Sequence, residues 1–155
     1  MQIRIYIDTS IVGGYFDIEF EKSTKQFFQW FEQQEVVFVI SDLLDLELLN
    51  APEKVRQHLN KYMPEKFERI SLDEEAVLLA DEYVNHKVVG ISSIEDCRHI
   101  AMATISKVDY VVSWNFKHIV NSERIIGYNS VNLNKGYSSV AIITPIELLN
   151  HEYNK

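Results

Sequence analysis

The sequence predicts an α/β fold, a parallel sheet sandwiched between two layers of helices (α/β/α). Three observations lead there. Strand-like and helix-like segments alternate from one end to the other, as crossover-connected parallel strands require. Val36-Val37-Phe38-Val39-Ile40 is apolar without interruption, the pattern of a strand covered on both faces. The strands also stop at turn and capping residues, Asp8-Thr9-Ser10 after the first and Ser41-Asp42 after the second. The 155 residues suit one domain with a real core, and no repeat, low-complexity segment or Pro/Gly/Ser linker divides residues 1–155.

In the first strand Ile3, Ile5 and Ile7 alternate with Arg4 and Tyr6. A short helix over 11–16 follows, loosened by Gly13-Gly14. That pair lacks the wider glycine spacing and the lysine of a phosphate-cradling loop. Residues 22–34 read as an amphipathic helix whose apolar face is Phe27, Phe28, Trp30 and Phe31. Such a cluster could stack bases, but at helical spacing it reads as core. After the strand at 36–40, Ser41 or Asp42 caps a helix over 42–50, halted before Pro52. Residues 53–62 read as a polar helix and 67–72 as an extended piece. Ser71-Leu72-Asp73-Glu74 has the form of a capping box, opening a helix with Ala76, Leu79, Ala80 and Tyr83 on one face.

A loop over 88–93 leads to a helix over 94–106, a strand over 109–114 and a weak, Asn-rich helix and loop over 121–137. A last strand over 139–144 precedes Thr144-Pro145-Ile146-Glu147, which unites an N-cap, a first-turn proline and a capping-box glutamate.

The composition excludes some classes. There is no basic region followed by a long apolar stretch, and the longest apolar run is far too short for a bilayer. The single Cys97 rules out an internal disulfide and fits a reducing, cytoplasmic setting. A net charge of −8 argues against a broad nucleic-acid-coating face. It leaves room for an enzyme that meets nucleic acid through metal ions, and it suits a basic protein partner.

Four polar residues fall where the fold would gather them. Asp8 lies at the tip of the first strand, and Asn115 at a later strand tip. Glu47 follows the second strand, between Leu43 and Leu44 on a helical wheel. Asp96 sits in the first turn of its helix, on the face of Ile100 and Ala103. Each has a bland alternative: Asp8 as an N-cap, Glu47 on a wet edge, Asp96 as a partner of the helix dipole, Asn115 as a plain turn residue. Asp45 also has leucines on both sides, so the pattern does not say which acid enters the site. His99 reads as hydrogen-bonded support or core rather than a ligand, and His118 has no assigned role. Strand ends and helix starts share one rim of a parallel sheet. Three carboxylates gathered there would repel one another without a cation, and hard oxygen ligands select Mg²⁺ or Mn²⁺. In-line displacement at phosphorus is the chemistry that uses such a site.

These pieces together resemble the PIN-domain nucleases: Ile-Tyr-Ile-Asp8-Thr-Ser, Ser41-Asp-Leu-Leu-Asp-Leu-Glu47-Leu, Asp96-Cys-Arg-His99-Ile-Ala-Met-Ala, Val-Val-Ser-Trp-Asn115-Phe and Ile-Ile-Thr-Pro-Ile-Glu. The resemblance spans nearly the whole chain. It implies a five-stranded, mostly parallel sheet and Mg²⁺ or Mn²⁺ ligands at Asp8, Glu47 and Asp96, with Asn115 as the fourth catalytic position. It also implies hydrolysis of an RNA phosphodiester, often by the toxin of a bacterial toxin–antitoxin pair. Expected partners are therefore an RNA substrate, an antitoxin protein and a second copy of the chain, with no membrane. Asn115 stands where the family carries Asp. It removes a charge from the site, although its carbonyl could still face a cation. The rival from another class is a PIN-fold module that has lost catalysis and binds protein or RNA. A haloacid-dehalogenase-like phosphatase needs Asp where Ser10 stands. A phospho-receiver needs an acidic pair ending the first strand, and Cys97 lies in an apolar-patterned helix where it would pack rather than attack.

Overall fold

Strand β1 (Ile3–Ile7) is the middle of a five-stranded sheet in a computed structural model that describes residues 2–154. The sheet order is β3-β2-β1-β4-β5, where β2 is Val36–Ser41, β3 Phe67–Ile70, β4 Tyr110–Val112 and β5 Ile142–Ile143. All four pairings are parallel, so every strand ends on the same rim. Ile5 pairs with Phe38 on one side and Tyr110 on the other. The chain thus runs outward from β1 in one direction, then returns to build the other half. The strand order reverses beside β1, which is where such sheets open a crevice for ligands.

The alternation read from β1 sorts two cores. Ile5 and Ile7 join Phe38, Ile40 and Val112 on one face, packed by α1 (Thr9–Gly14), α2 (Glu21–Gln33), α4 (Glu53–Arg56) and α8 (Pro145–Tyr153). Tyr6, Val39 and Val111 face α5 (Glu74–Asn85), α6 (Ile94–Ile105) and α7 (Ser122–Asn134). The aromatic face of α2 is core: Phe31 stacks on Phe38 with ring centroids 3.7 Å apart and planes 8° apart. Truncating either to Ala would cost about 3–5 kcal/mol. Helix α3 (Asp42–Leu48) leaves β2 through Ser41, whose Oγ accepts from the Leu44 amide.

Several boundaries differ from the sequence reading. The first helix begins at Thr9, not residue 11, and the expected helix over 53–62 is α4 followed by a 3-10 turn, His58–Lys61. That break buries His58 completely among Tyr15, Phe16, Phe28 and Tyr62. Asp73, rather than Ser71, caps α5, its Oδ1 accepting from the Ala76 amide. The Asn-rich stretch forms a regular 13-residue helix, because its asparagines are satisfied. Asn121 caps it, and Asn132 accepts from the Tyr83 hydroxyl at 2.5 Å. Asn129 binds both backbone groups of Val140, which shortens the last strand to Ile142–Ile143. Strand β4 stops at Val112 as the next residues turn toward Asp8. Among the described residues, no helix is long and apolar enough to cross a membrane.

Candidate active site at the carboxyl rim of the sheet

Asp8 follows the last residue of β1 and is only 5% exposed. It stands at the N-cap position of α1, yet its side chain makes no capping hydrogen bond. Its carboxylate turns along the rim instead. Ser10 Oγ donates to Oδ1 and Ser113 Oγ to Oδ2, both at 2.6 Å. Ser10 Oγ also accepts from the Trp114 amide at 2.9 Å, which ties the end of β4 to the start of α1. Burial lifts the Asp8 pKa above the ordinary carboxylate value, against the pull of His99 and of the two serine hydroxyls.

Glu47 reaches the rim from α3, and Asp45 does not: Asp45 pairs on the surface with Arg69 at 2.7 Å. Thr9 Oγ1 donates to Glu47 Oε1 at 2.5 Å, and His99 Nε2 approaches the same oxygen at 2.7 Å. His99 is buried, and its Nδ1 lies 2.5 Å from the Tyr6 hydroxyl, which is 2.9 Å from Ser41 Oγ. A single direction of donation satisfies this chain. The Leu44 amide donates to Ser41, Ser41 to Tyr6, Tyr6 to His99 Nδ1, and His99 Nε2–H to Glu47. Burial keeps the Tyr6 phenol protonated, its pKa raised far above the usual value. For Glu47 burial acts upward, but the hydrogen bonds from His99 and Thr9 outweigh it and hold the carboxylate below its ordinary pKa.

Asp96 lies in the first turn of α6, partly buried. Burial raises its pKa first; His118 and His99 pull it down, and the charges of Asp8 and Glu47 push it up again. Asp96 thus feels the charges of both Asp8 and Glu47. Asn115 Nδ2 donates to Asp96 Oδ1 at 3.3 Å, while Asn115 Oδ1 accepts from the His118 amide at 3.0 Å. The two bonds fix the amide's orientation. Its NH₂ faces Asp96, and its carbonyl is committed to the turn.

Among the described residues, no group of three or more His, Cys, Asp or Glu side chains stands spaced to hold a metal ion. Glu47 Oε1 is bound to Thr9 and His99, which leaves Oε2 as its remaining oxygen. The chemistry of the donor set still matches a hard divalent cation, being carboxylate oxygen throughout. Burial raises the pKa of Asp8 and Asp96, a cost that a cation would offset, although both Asp8 oxygens already accept from serine hydroxyls. Asn115 fits a cation less well than its position suggested, because it presents a donor. Ser10, Ser113, Thr9 and Tyr6 were not singled out in the sequence. Only the Thr9-Ser10 pair after Asp8 hinted at them, and that pair reads equally as a turn. Cys97 is buried, its thiol pushed up to about 12 by burial first and the Asp96 charge second; it packs, as expected.

No protein-family model and no curated protein matches the sequence. Solved structures do match its fold. VapBC2 of Rickettsia felis, bound to a DNA fragment from its promoter, superposes with a TM-score of 0.59 at 14% identity, covering 92% of this chain and 98% of that one. VapC20 of Mycobacterium tuberculosis, a toxin that cleaves the sarcin-ricin loop, gives 0.57 at 12% identity, with 88% and 98% covered. FitAcB of Neisseria gonorrhoeae gives 0.59 at 14%, with 91% and 97% covered. The likeness is to PIN-domain toxins of type II toxin–antitoxin systems, and it extends over nearly all of both chains. The PIN-like, five-stranded α/β architecture expected from the sequence is the one observed, with every strand parallel.

Proposed function

We propose that this chain is a ribonuclease of the PIN type that hydrolyses an RNA phosphodiester with Mg²⁺ or Mn²⁺ bound, and that it serves as the toxin of a toxin–antitoxin pair. The observation that carries the proposal is the burial of Asp8, together with the charge that Asp8 and Glu47 exert on Asp96. A buried carboxylate with carboxylate neighbours is costly unless a cation or a proton balances it. Asp8 and Asp96 would hold the cation, with Glu47 Oε2 completing the set. When bound, it would supply charge for an attacking water and for the leaving oxygen.

The chain's own residues supply position. Ser10 and Ser113 fix both oxygens of Asp8, so the carboxylate keeps one orientation as substrate enters. His99 and Thr9 hold Glu47 ionised and aimed along the rim. Asn115 steadies Asp96 through an N–H without adding charge. Preorganised groups of this kind lower the reorganisation cost of the transition state.

The test is Asp8→Asn in a purified protein assayed on single-stranded RNA with Mn²⁺. Loss of cleavage with the thermal midpoint kept or raised supports the reading. Equal cleavage by both proteins points to a contaminating nuclease. A second reading, a PIN-fold binding module without catalysis, is favoured by one specific observation, the Asn115 NH₂ facing Asp96 where a further ligand oxygen is needed. In that case Asp8→Asn leaves partner binding intact and neither protein cuts RNA. The antitoxin partner is proposed from the matched VapBC and FitAB complexes and from the net charge of −8, which suits a basic segment. A cytoplasmic location and a homodimer belong to the same proposal.

A further inference from the structure

Directly beyond Asn115 the chain makes a short tied loop. The Asn115 carbonyl accepts from the amides of Ile119 at 3.1 Å and Val120 at 2.8 Å, and Asn121 Nδ2 donates to the Phe116 carbonyl at 3.4 Å. Ile119 is fully buried and anchors the loop. Only Phe116 and Lys117 are exposed within it, and Phe116 keeps 50% of its surface open. Its ring is the outer member of an aromatic group. Phe20 stacks on Trp114 at 4.6 Å with planes 22° apart, and Phe116 lies 6.2 Å from each, tilted 31° and 43°. Trp114 is itself locked, its Nε1–H donating to Thr24 Oγ1 at 2.9 Å. Gly14 gives it room, since a Cβ there would lie 2.8 Å from the indole. An exposed ring is thus held on a rigid mount one residue from the side chain that binds Asp96.

We infer that Phe116 is a base-stacking residue, which seats an unpaired nucleobase next to the RNA phosphate held at the acidic rim, with Lys117 beside it for the adjoining phosphate. An exposed aromatic paired with a cation is the combination that holds single strands, because every base has a π-face and every link a phosphate. Of the three rings only Phe116 is exposed, Phe20 being partly buried and Trp114 buried. That matches a nucleotide, whereas a stable protein contact draws on about 800 Å² per partner. Because the loop is tied on both sides, little ordering cost opposes binding. The ring can take only a base that is free to leave its stack. This inference rests on the ribonuclease reading, and its test separates the two.

Binding of a short fluorescein-labelled single-stranded RNA is measured by anisotropy on an Asp8→Asn background, where the RNA survives. Phe116→Ala should weaken binding between about five- and 150-fold, the range set by one lost base–aromatic stack. Phe116→Trp should bind as the parent does, and Phe116→Leu, apolar but not flat, should behave like Ala. A 2-aminopurine in the strand should be quenched by the parent and by Phe116→Trp only. In the otherwise native protein, Phe116→Ala should raise KM and leave kcat unchanged. Equal RNA affinity of parent and Phe116→Ala overturns the inference, even where the native protein cleaves RNA. Binding through Phe116 without cleavage keeps the inference and overturns the ribonuclease reading. No RNA binding by either protein overturns the inference, and loss of a purified antitoxin on Phe116→Ala would then reassign the ring to protein docking.

Discussion

His99 on α6 and Glu47 on α3 meet across the carboxyl rim, Nε2 to Oε1 at 2.7 Å, and the contact joins the helix that leaves β2 to the helix that leads into β4. His99 is buried while Glu47 is partly open. The histidine therefore acts as the fixed post and the glutamate as the arm it steadies. His99→Ala should free Glu47, leave the Tyr6 hydroxyl with Ser41 as its one partner and cost about 1–3 kcal/mol, the scale of a lost buried hydrogen bond. Urea denaturation measures the loss. A carboxyl ¹³C titration should show the Glu47 pKa climbing in the variant. The sign is set by its lowered native pKa: the stability it contributes is present above its ordinary pKa and is lost as pH falls through the native one. That acid-side loss should shrink in His99→Ala.

Asp8 has the opposite sign. Its native pKa is raised, so ionisation opposes folding. The cost is absent below the unfolded pKa and grows as pH rises through the native one. Asp8→Asn should therefore raise the metal-free thermal midpoint at neutral pH, with the gain fading toward pH 3. Parallel melts in chelator across that pH range give the comparison. A uniform gain at every pH would mean that charge is not its cause.

Divalent cation should reverse that ordering. A ligand at 100 times its Kd adds about 2.7 kcal/mol to the folded state. Mn²⁺ titrated into the native protein should lift its midpoint, and chelator should return it. Asp8→Asn and Asp96→Asn should each lose most of the response, whereas Asp45→Asn, at a surface pair with Arg69, should keep it. Equal shifts in all three variants would remove the cation from this rim.

Asn115→Asp puts an acid where an amide N–H now meets Asp96 at 3.3 Å. The bond from the His118 amide survives, since an Asp oxygen accepts it as well. The metal-free protein should lose on the order of 1–2 kcal/mol through like-charge contact. Mn²⁺ should bind more tightly, by calorimetric titration, and close that gap. Unchanged affinity together with an unchanged melt would place residue 115 outside the cation's reach.

His58 supplies an acid-sensitive element away from the rim. It is fully buried in an aromatic box, its Nδ1 has no hydrogen-bond partner, and its pKa is lowered to about 4, by burial first and the Lys61 charge second. The unfolded chain binds that proton near 6.5, so stability is complete above that pH and falls as pH drops toward 4. The loss reaches about 3 kcal/mol once both values are passed. His58→Phe should abolish this slope between pH 6.5 and 4 in urea melts, because a phenyl ring needs no proton and fits an aromatic box.

The sheet and the acids were legible for local reasons. The alternation of Ile5, Tyr6 and Ile7 assigns faces without knowledge of the partners, and the capping residues after each strand mark the rim. Glu47 announced itself by lying among leucines. Tyr6 did not, because its partner His99 is 93 residues away and periodicity records a face rather than a bond. The same limit hid His58. A histidine in a polar segment reads as solvated until Tyr15, Phe28 and Tyr62 arrive from elsewhere in the chain. The last strand was overdrawn because Asn129, a side chain of α7, takes the backbone bonds that a neighbouring strand would otherwise supply.

The place of β1 in the sheet also sets a clock. Its second neighbour is β4, and the Ser113 hydroxyl that clamps Asp8 is 105 residues downstream. Translation at about 5–20 residues per second therefore separates the birth of Asp8 from that of its clamp by about 5–20 seconds, and Asn115 emerges later still. On the ribosome the half-built chain holds its first acid without Asp96, Ser113 or Asn115 around it. Under the proposed ribonuclease reading, a chain assembled in this order would be inert while tethered beside the ribosomal RNA, and cleavage would begin only after most of the polypeptide has left the exit tunnel.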